Sequence, residues 1–320
     1  MKRNFNIENK TLKCINNKNI ELLTCNRKLS DFIEQNYLLY RGYYISDNEL
    51  LELIELSNES YEDAIVQLIP NKTNIRSGEF GEIISTELYK YDMDCSRIYI
   101  VDKLSHTRKE DTQVAAHKTD ILIIEQQDDS FIIHSVEVKT KITDSSCNPI
   151  EDMIEGVNDD INNRVSETLN WIKRKTFSEG KMKEYNFIKN VIKAVGEGKV
   201  DNIYNGIVFL DTKSLDDEIN KNIYIYAKLR STQKGKYDKA FNELGCTLID
   251  NIVYFDGVTI QDIDNLKIKS REKSSIKKIF IKASNKMLNI DDIKIQIVQF
   301  ENIYDYCIKM YEKIISIGRV

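Results

Sequence analysis

The sequence predicts an α/β fold in which helices flank a mixed β-sheet. Apolar runs of strand length, such as 203–211 and 293–300, are interspersed with segments whose apolar residues recur every three or four positions, such as 151–175 and 181–195. Helices and strands that follow one another in this way are typical of the α/β class. Hydrophobic residues make up 41% of the 320 positions, which is enough for a sizeable core.

The composition excludes several other classes of protein. No apolar run approaches the roughly 20 residues that a membrane-spanning helix needs, and the N-terminal "MKRNFNIENK" lacks the apolar stretch of a secretory signal. Six cysteines are scattered without a CxxC pair, which argues against both a zinc site and a disulfide framework. We therefore expect a soluble protein of the reducing cytoplasm.

The N-terminal half contains mixed elements. "NIELLTC" (19–25) predicts a strand, and the apolar spacing of 48–69 predicts a helix that ends before Pro70. Residues 71–78 form a polar break, and "EFGEIISTELYKY" (79–91) has the apolar stripe of a second helix. A short strand at 97–101 and a polar loop at 102–118 follow. Residues 1–70 are thus expected to form a small N-terminal α+β region.

The C-terminal half continues the alternation. Apolar residues three and four positions apart predict helices over 151–175 and 181–195, and further helices are expected at 238–244 and 302–317. Apolar runs predict strands at 203–211, 222–229, 247–255, 277–283 and 293–300. The net charge is −5, but 228–239 and 267–286 are strongly basic. Each is either a solvated face or a surface for nucleic acid or a protein partner.

Residues 117–141, "HKTDILIIEQQDDSFIIHSVEVKTK", predict a β-hairpin that ends in alternating charges. If the turn is centred between Asp128 and Asp129, Asp120 lies opposite Glu137 and diagonal to Lys139, all on one face. If it is centred on Asp128 instead, Asp120 lies opposite Val136 and Glu137 points to the other face. Both strands are apolar on both faces, so the hydrophobic pattern leaves the two registers open.

The first register would bring two carboxylates and an ammonium together. Two adjacent carboxylates repel unless a cation lies between them, and Mg²⁺ (or Mn²⁺) with oxygen ligands from Asp120, Glu137 and the Val138 carbonyl would meet that need. Lys139 could then orient a water molecule or stabilise an anionic transition state. This chemistry suits phosphodiester hydrolysis. The alternative is a surface ion pair between Asp120 and Lys139 without catalytic function.

The preceding helix offers a further carboxylate. With Phe80 and Ile84 at the centre of the apolar stripe, Glu87 falls within the stripe, Glu79 at its edge and Glu82 on the far side. This projection alone does not choose among the three. His134 lies within the second strand, where a structural role is expected, and His106 and His117 are expected in a loop. No Walker-type phosphate loop occurs in the sequence.

The motifs "GEFGE" (78–82), "TDILI" (119–123) and "SVEVKTK" (135–141) resemble the PD-(D/E)xK nuclease superfamily and, more narrowly, the HamA effector family of the Hachiman antiphage defence system. The resemblance is clearest over 75–175 and includes the closing strand and helix. It implies a nuclease-like mixed sheet over 71–320. It also implies a metal-dependent deoxyribonuclease that acts with a HamB-like helicase subunit.

The resemblance also implies roles for individual residues. Asp120 and Glu137 would be metal ligands, Lys139 the catalytic lysine, and Glu82 the catalytic helix carboxylate, with Glu79 as the alternative. The chain departs from the superfamily pattern at Thr119, where proline is usual. Two other functions stay open from the sequence: a standalone restriction-type endonuclease, and a nuclease-fold module that binds DNA or a partner without cleaving.

Overall fold

The structure, a computed structural model, describes residues 1–12, 18–92, 97–102, 119–142, 148–216, 226–249, 251–255, 257–285 and 293–316. Within these ranges, ten strands form a large and a small sheet: β1 Phe5–Leu12, β2 Lys18–Cys25, β3 Ile98–Asp102, β4 Ile121–Gln126, β5 Phe131–Thr140, β6 Val200–Asp211, β7 Tyr226–Lys228, β8 Thr247–Ile249, β9 Ile252–Tyr254 and β10 Ile293–Phe300. The large sheet has the order β1-β2-β10-β6-β5-β4-β3. Its central strands β2, β10, β6 and β5 are parallel, and both ends are antiparallel. The predicted mixed sheet is confirmed.

Helices cover both faces of the large sheet. In chain order the helices of the described ranges are α1 Leu29–Gly42, α2 Asp47–Ser57, α3 Tyr61–Leu68, α4 Thr73–Asp92, α5 Pro149–Asp159, α6 Val165–Ser178, α7 Met182–Gly196, α8 Ser231–Glu243, α9 Ile260–Asn265, α10 Ser270–Asn285 and α11 Ile303–Ser316. Apolar residues of α1, α3, α4 and α11 form one core with one face of the sheet. Those of α5, α6 and α7 pack on the opposite face.

The N-terminal strands belong to the large sheet. β2 pairs in parallel with β10, and Phe32, Ile65 and Phe80 share one buried core although they come from α1, α3 and α4. Residues 1–70 and 71–320, which the sequence separates into two regions, are thus joined by both a sheet and a core. β1, which pairs along its whole length with β2, was not predicted.

Helix α4 approaches the sheet closely at Gly81. A Cβ atom added there would overlap the Oγ1 of Thr140 and crowd Val138 and Phe209. The absence of a side chain at this position therefore lets the helix backbone lie directly on β5. Helix α4 begins at Thr73, so the polar break expected at 71–78 is wrong for most of its length. The sequence pattern did not reveal this first part of the helix, because Gly78 and the polar residues before it are typical of a loop.

The small sheet has the order β7-β9-β8 and packs with α8, α9 and α10 around its own core. The strand expected at 277–283 is wrong, because these residues lie within α10. Ile276, Phe280 and Ala283 are buried at spacings of four and three, so burial follows the helical period although Ile279 to Ile281 form a short apolar run. The predicted strand at 247–255 is divided into β8 and β9. The second half of the strand predicted at 222–229 contains β7, and residues 222–225 lie outside the described residues.

Two predicted helices are interrupted. The helix expected over 48–69 is two helices, α2 and α3, because Asn58 adopts a left-handed conformation with φ of 56° and Ser60 caps the second. The helix expected over 151–175 contains a π-helical turn, Asp160–Arg164, between α5 and α6. In the parts of the chain that the structure describes, no helix combines the length and apolarity needed to cross a bilayer.

Candidate functional site

The β4–β5 hairpin has the first of the two predicted registers. Ile121 lies opposite Val136, and every further pair keeps this register up to Gln126 and Phe131. One step beyond Ile121, Asp120 therefore lies opposite Glu137, as the turn centred between Asp128 and Asp129 predicted. The alternative register, with Asp120 opposite Val136, is wrong. Asp120 is fixed there by its Oδ2, which accepts a hydrogen bond of 2.9 Å from the N–H of Val138.

Glu137 and Lys139 lie together on the face of β5 that is turned away from α4. Their neighbours Val136 and Val138 pack in the core with α4, and the alternation of a strand turns Glu137 and Lys139 to the other side. The Nζ of Lys139 is 2.6 Å from the Oε1 of Glu137. The Glu137 side chain is only 3% exposed and lies against Gly156 of α5. The structure thus brings Asp120, Glu137 and Lys139 together.

A second cation and a third acid, which the sequence did not reveal, complete this cluster. The Nη1 of Arg164 donates to the Oε2 of Glu137 at 2.8 Å, and Nε lies 3.5 Å from the Oδ1 of Asp160. Asp160 is 2% exposed. Both residues belong to the π-helical turn, a feature frequently found at functional sites. Neither Asp160 nor Arg164 belongs to the apolar stripe that predicts this helix, so no local pattern singles them out.

Thr119, at the position where the superfamily resemblance implies a proline, connects the start of β4 to this turn. Its hydroxyl donates to the Oδ1 of Asp160 at 3.0 Å, and its N–H donates to the Oγ1 of Thr168 at 3.3 Å. Proline has neither donor, so it could make neither bond. Threonine at this position therefore has a structural role: it fastens the start of the strand after Asp120 to the π-helical turn that contains Asp160.

The electrostatics of the cluster are dominated by burial and by repulsion between the acids. Burial, followed by the charge of Asp120, raises the pKa of Glu137 to about 8, against the opposing effect of Lys139. Burial also raises the pKa of Asp160 to about 7, although Arg164 opposes the shift. Burial alone would lower the pKa of Lys139, but Glu137 and Asp120 raise it. Three acids share two cations, so the cluster has a deficit of positive charge.

The raised pKa of Glu137 predicts a pH-dependent stability of the metal-free chain. An unfolded glutamate titrates near 4.5, and Glu137 in the folded chain titrates at about 8. Between these values the folded state retains a proton that the unfolded chain has released, so the free energy of unfolding falls as pH rises through this window. Urea unfolding from pH 4.5 to 8 should show this fall, and Glu137→Gln should make it shallower. Glu125→Gln, near the turn of the same hairpin, should leave the decrease in unfolding free energy unchanged. An equal decrease in all three proteins would contradict the raised pKa of Glu137 as its cause.

The three glutamates of α4 have different environments. Glu79 is buried on the side away from the sheet and accepts a hydrogen bond of 2.6 Å from the Tyr44 hydroxyl. Glu87 accepts one of 2.6 Å from Tyr43 and pairs with Lys90 at 2.9 Å. Glu82 is buried on the flank of the helix, one residue beyond the glycine that touches β5. Helix α4 as a whole lies on the opposite face of the sheet from Glu137 and Lys139.

The histidines contribute little to the described cluster. His134 is buried within β5, where burial lowers its pKa, and its Nε2 is 3.9 Å from a carboxylate oxygen of Glu125. His106 and His117 lie outside the described residues. His134 lies opposite Ile123, three residues before Glu137, and the alternation of the strand turns its side chain to the other face of the sheet.

The donor atoms of the cluster suit a cation held by two carboxylates. Among the residues that the structure describes, no group of three or more His, Cys, Asp and Glu side chains is arranged to hold a metal ion. Asp120 and Glu137 remain as an opposed pair, with the backbone of Val138 bonded to one of them. Mg²⁺ is commonly held by one or two carboxylates, with water and substrate phosphate as the other ligands. The negative charge of Asp120 adds to burial in raising the pKa of Glu137. A divalent ion between the two carboxylates would offset this repulsion.

Comparison with protein families gives a match over nearly the whole chain. The family model described as HamA matches residues 2–314. No curated protein matches the sequence. The family match extends from β1 to within α11, so it includes the hairpin, both sheets and the π-helical turn.

Proposed function

The chain belongs to the HamA family, the effector family of the Hachiman antiphage defence system, and we propose that it is a metal-dependent deoxyribonuclease of that system. The observation that carries the proposal is the convergence of Asp120, Glu137 and Lys139 on one face of the sheet, in the register that pairs the two acids. An acid pair beside an ammonium is a suitable arrangement for hydrolysis of a phosphodiester with the help of a divalent ion.

Each residue of the hairpin has a role in this proposal. Asp120 and Glu137 would hold Mg²⁺ or Mn²⁺, with the Val138 carbonyl as a further ligand, and the ion would lower the pKa of a bound water and neutralise charge on a phosphodiester oxygen. Lys139 has a raised pKa, so its ammonium stays protonated and can stabilise negative charge that develops on the phosphate. Glu82 would be the helix carboxylate that the family resemblance implies, although α4, which carries it, packs on the face of the sheet opposite Glu137 and Lys139. Glu79, bonded to Tyr44, is the alternative.

The distribution of charge supports DNA as the substrate. Residues 226–285, which form the small sheet and α8 to α10, carry twelve Lys and Arg against seven Asp and Glu, a net charge of +5, whereas the whole chain carries −5. Exposed basic residues line α10 and the segment before it, among them Lys267, Lys269, Arg271 and Lys278. Such a surface can neutralise phosphates although the chain as a whole is acidic.

The basic surface predicts a salt-dependent affinity for DNA. Reversal of three exposed charges, Lys269→Glu, Arg271→Glu and Lys278→Glu together, should weaken DNA binding by about tenfold or more and reduce the dependence of the affinity on salt, because each lost phosphate contact removes about one released counterion. Fluorescence anisotropy with a labelled duplex at several salt concentrations measures both effects. The matched control reverses Lys183, Lys189 and Lys193, three exposed lysines of α7. Equal weakening by the two triple variants would contradict a specific role for the small-sheet unit.

We also propose a helicase subunit as the partner. The sequence has no Walker-type phosphate loop, so ATP-driven movement along DNA would come from a second protein. A HamB-like helicase encoded beside this chain would supply that movement and restrain the nuclease until foreign or damaged DNA is bound. The remainder of the chain carries a net charge of −10, so the helicase could bind there while the basic residues of 226–285 bind DNA.

The test is a cleavage experiment with the purified chain, alone and together with its helicase. Linear duplex, circular plasmid and single-stranded DNA are incubated with Mg²⁺, Mn²⁺ or EDTA, with and without ATP. Nicked or degraded DNA that depends on the divalent ion and on the helicase is the expected result. Defined fragments from the chain alone would indicate a standalone restriction-type endonuclease. DNA binding without products in any metal would overturn the nuclease proposal in favour of a non-cleaving binding module.

A further inference from the structure

Arg164 donates a hydrogen bond to one of the two carboxylate oxygens of Glu137. Lys139 lies 2.6 Å from Oε1, and the Nη1 of Arg164 lies 2.8 Å from Oε2. Both oxygens of a nearly fully buried carboxylate are therefore already bonded to a cation. A divalent ion that binds either oxygen of Glu137 would compete with the cation already bonded there, because two positive charges at one oxygen repel each other.

The surroundings of Arg164 favour it as the group that moves. Its side chain is 23% exposed, and its Nη2 donates at 3.0 Å to the Oδ2 of Asp159, whose side chain is 63% exposed. The guanidinium can therefore leave Glu137 toward solvent and retain an ionic partner. Asp160, by contrast, lies inside the cluster, with its Oδ1 already accepting from Thr119. A guanidinium that swings outward on Asp159 also keeps the planar donor geometry that binds phosphate well.

We propose that Arg164 is a positioning residue that holds the Oε2 of Glu137 in the metal-free chain and gives up this oxygen to the divalent ion, moving outward on Asp159 as the ion binds. The inference rests on the proposed metal-dependent function. In the metal-free state Arg164 compensates a buried carboxylate that would otherwise face two other acids. In the metal-bound state the ion provides that compensation. Arginine and ion are thus competitors for one oxygen atom.

The competition predicts that removal of Arg164 strengthens metal binding. Arg164→Gln should lower the Kd for Mn²⁺ by about tenfold, a change that corresponds to 1.4 kcal/mol, because the ion no longer has to break a charge-assisted hydrogen bond. A residue with a merely structural role would have the opposite effect, since its loss would loosen the site. Isothermal titration calorimetry or the electron paramagnetic resonance signal of free Mn²⁺ measures this Kd without DNA and without turnover.

Two further variants make the experiment specific. Arg164→Lys retains the charge and should keep the Kd close to that of the wild type. Arg174→Gln removes the same charge from an exposed position in α6 and should leave the Kd unchanged. If Arg164→Gln fails to fold, Asp159→Asn provides the second test: it removes the outer partner of the guanidinium at a surface position and should raise the Kd.

The outcomes separate the inference from the proposed function. If the wild type binds Mn²⁺ and Glu137→Gln does not, the metal site stands. If Arg164→Gln then binds Mn²⁺ no more tightly than the wild type, the proposed replacement of Arg164 by the ion is overturned. If the wild type binds no Mn²⁺, or Glu137→Gln binds it equally well, the proposed metal site itself is overturned. Tighter Mn²⁺ binding by Arg164→Gln, together with unchanged Mn²⁺ binding by Arg174→Gln, supports the replacement of Arg164 by the ion.

Discussion

Glu137→Gln and Lys139→Ala should each reduce DNA cleavage by about 10²–10³-fold or more, the loss that follows removal of a group that stabilises a transition state. The amide of glutamine has the shape of the carboxylate but not its charge, so it cannot bind a divalent ion with comparable strength. Alanine at position 139 removes the ammonium that lies 2.6 Å from Glu137 and leaves that acid with Arg164 as its cation. Rates of product formation from labelled DNA under single-turnover conditions measure the losses.

The folded state should survive both changes. Glu137→Gln replaces a buried carboxylate whose pKa is raised by burial and by Asp120, so the neutral side chain relieves repulsion within the cluster. We expect circular dichroism spectra like those of the wild type and a melting temperature that is not lowered. The double variant should lose little more activity than the stronger single variant, because residues that act as a unit are not additive. Glu125→Gln, at the far end of the hairpin, is the matched control and should cleave normally.

Wild-type cleavage by both site variants would mean that the chemistry lies elsewhere in the chain. Loss of activity in Glu125→Gln as well would indicate that the hairpin tolerates no change of charge, and the assignment of Glu137 would then lose its support. If the melting temperature of Glu137→Gln is lowered by several degrees, its inactivity results from a less stable folded state. The three results are distinguishable because activity and stability are measured on the same preparations.

The hairpin could be predicted from the sequence because its signals are local. Two strands of six and ten residues flank a short turn, and once the turn is centred the register follows by counting. The strands β2, β3, β6 and β10 were predicted for a similar reason: each contains a short segment that is rich in apolar residues. In contrast, 277–283 contains a short apolar run, Ile279 to Ile281, that is typical of a strand, whereas its packing against the small-sheet core is that of a helix, α10. Long-range burial overrode the local pattern.

The remainder of the cluster could not be predicted because it comes from distant parts of the chain. Arg164 and Asp160 follow Glu137 by more than twenty residues and form no motif with it. Their position depends on a π-helical turn, which local apolar spacing does not reveal. The projection left the choice among the α4 glutamates open. It placed Phe80 and Ile84 in the apolar stripe, and both are buried, but it did not reveal that the helix backbone meets β5 at Gly81, a residue without a side chain.

Gly156→Ala should impair the site without removing any functional group. A Cβ atom at this position would overlap the carboxylate carbon and Oε1 of Glu137, which Lys139 and Arg164 hold in place. Helix α5 cannot easily retreat, because its apolar residues pack against the sheet on the same face. The added methyl group should cost about 1–3 kcal/mol of unfolding free energy, as overpacking of a well-packed interior does. A carboxylate displaced by about 1 Å should in addition lower cleavage by roughly 10²-fold.

Urea unfolding and single-turnover cleavage measure the two effects of Gly156→Ala on one preparation. Gly196→Ala is the matched control: this glycine ends α7 and has open space around it, so alanine should be neutral or stabilise the helix by up to about 1 kcal/mol and leave cleavage unchanged. The ratio of the two effects is informative, since a helix that merely shifts outward would lose stability with little loss of cleavage. Wild-type stability and cleavage in Gly156→Ala would show that Glu137 does not lie beneath α5, and the buried, cation-bonded carboxylate on which the proposed chemistry depends would then have to be placed differently.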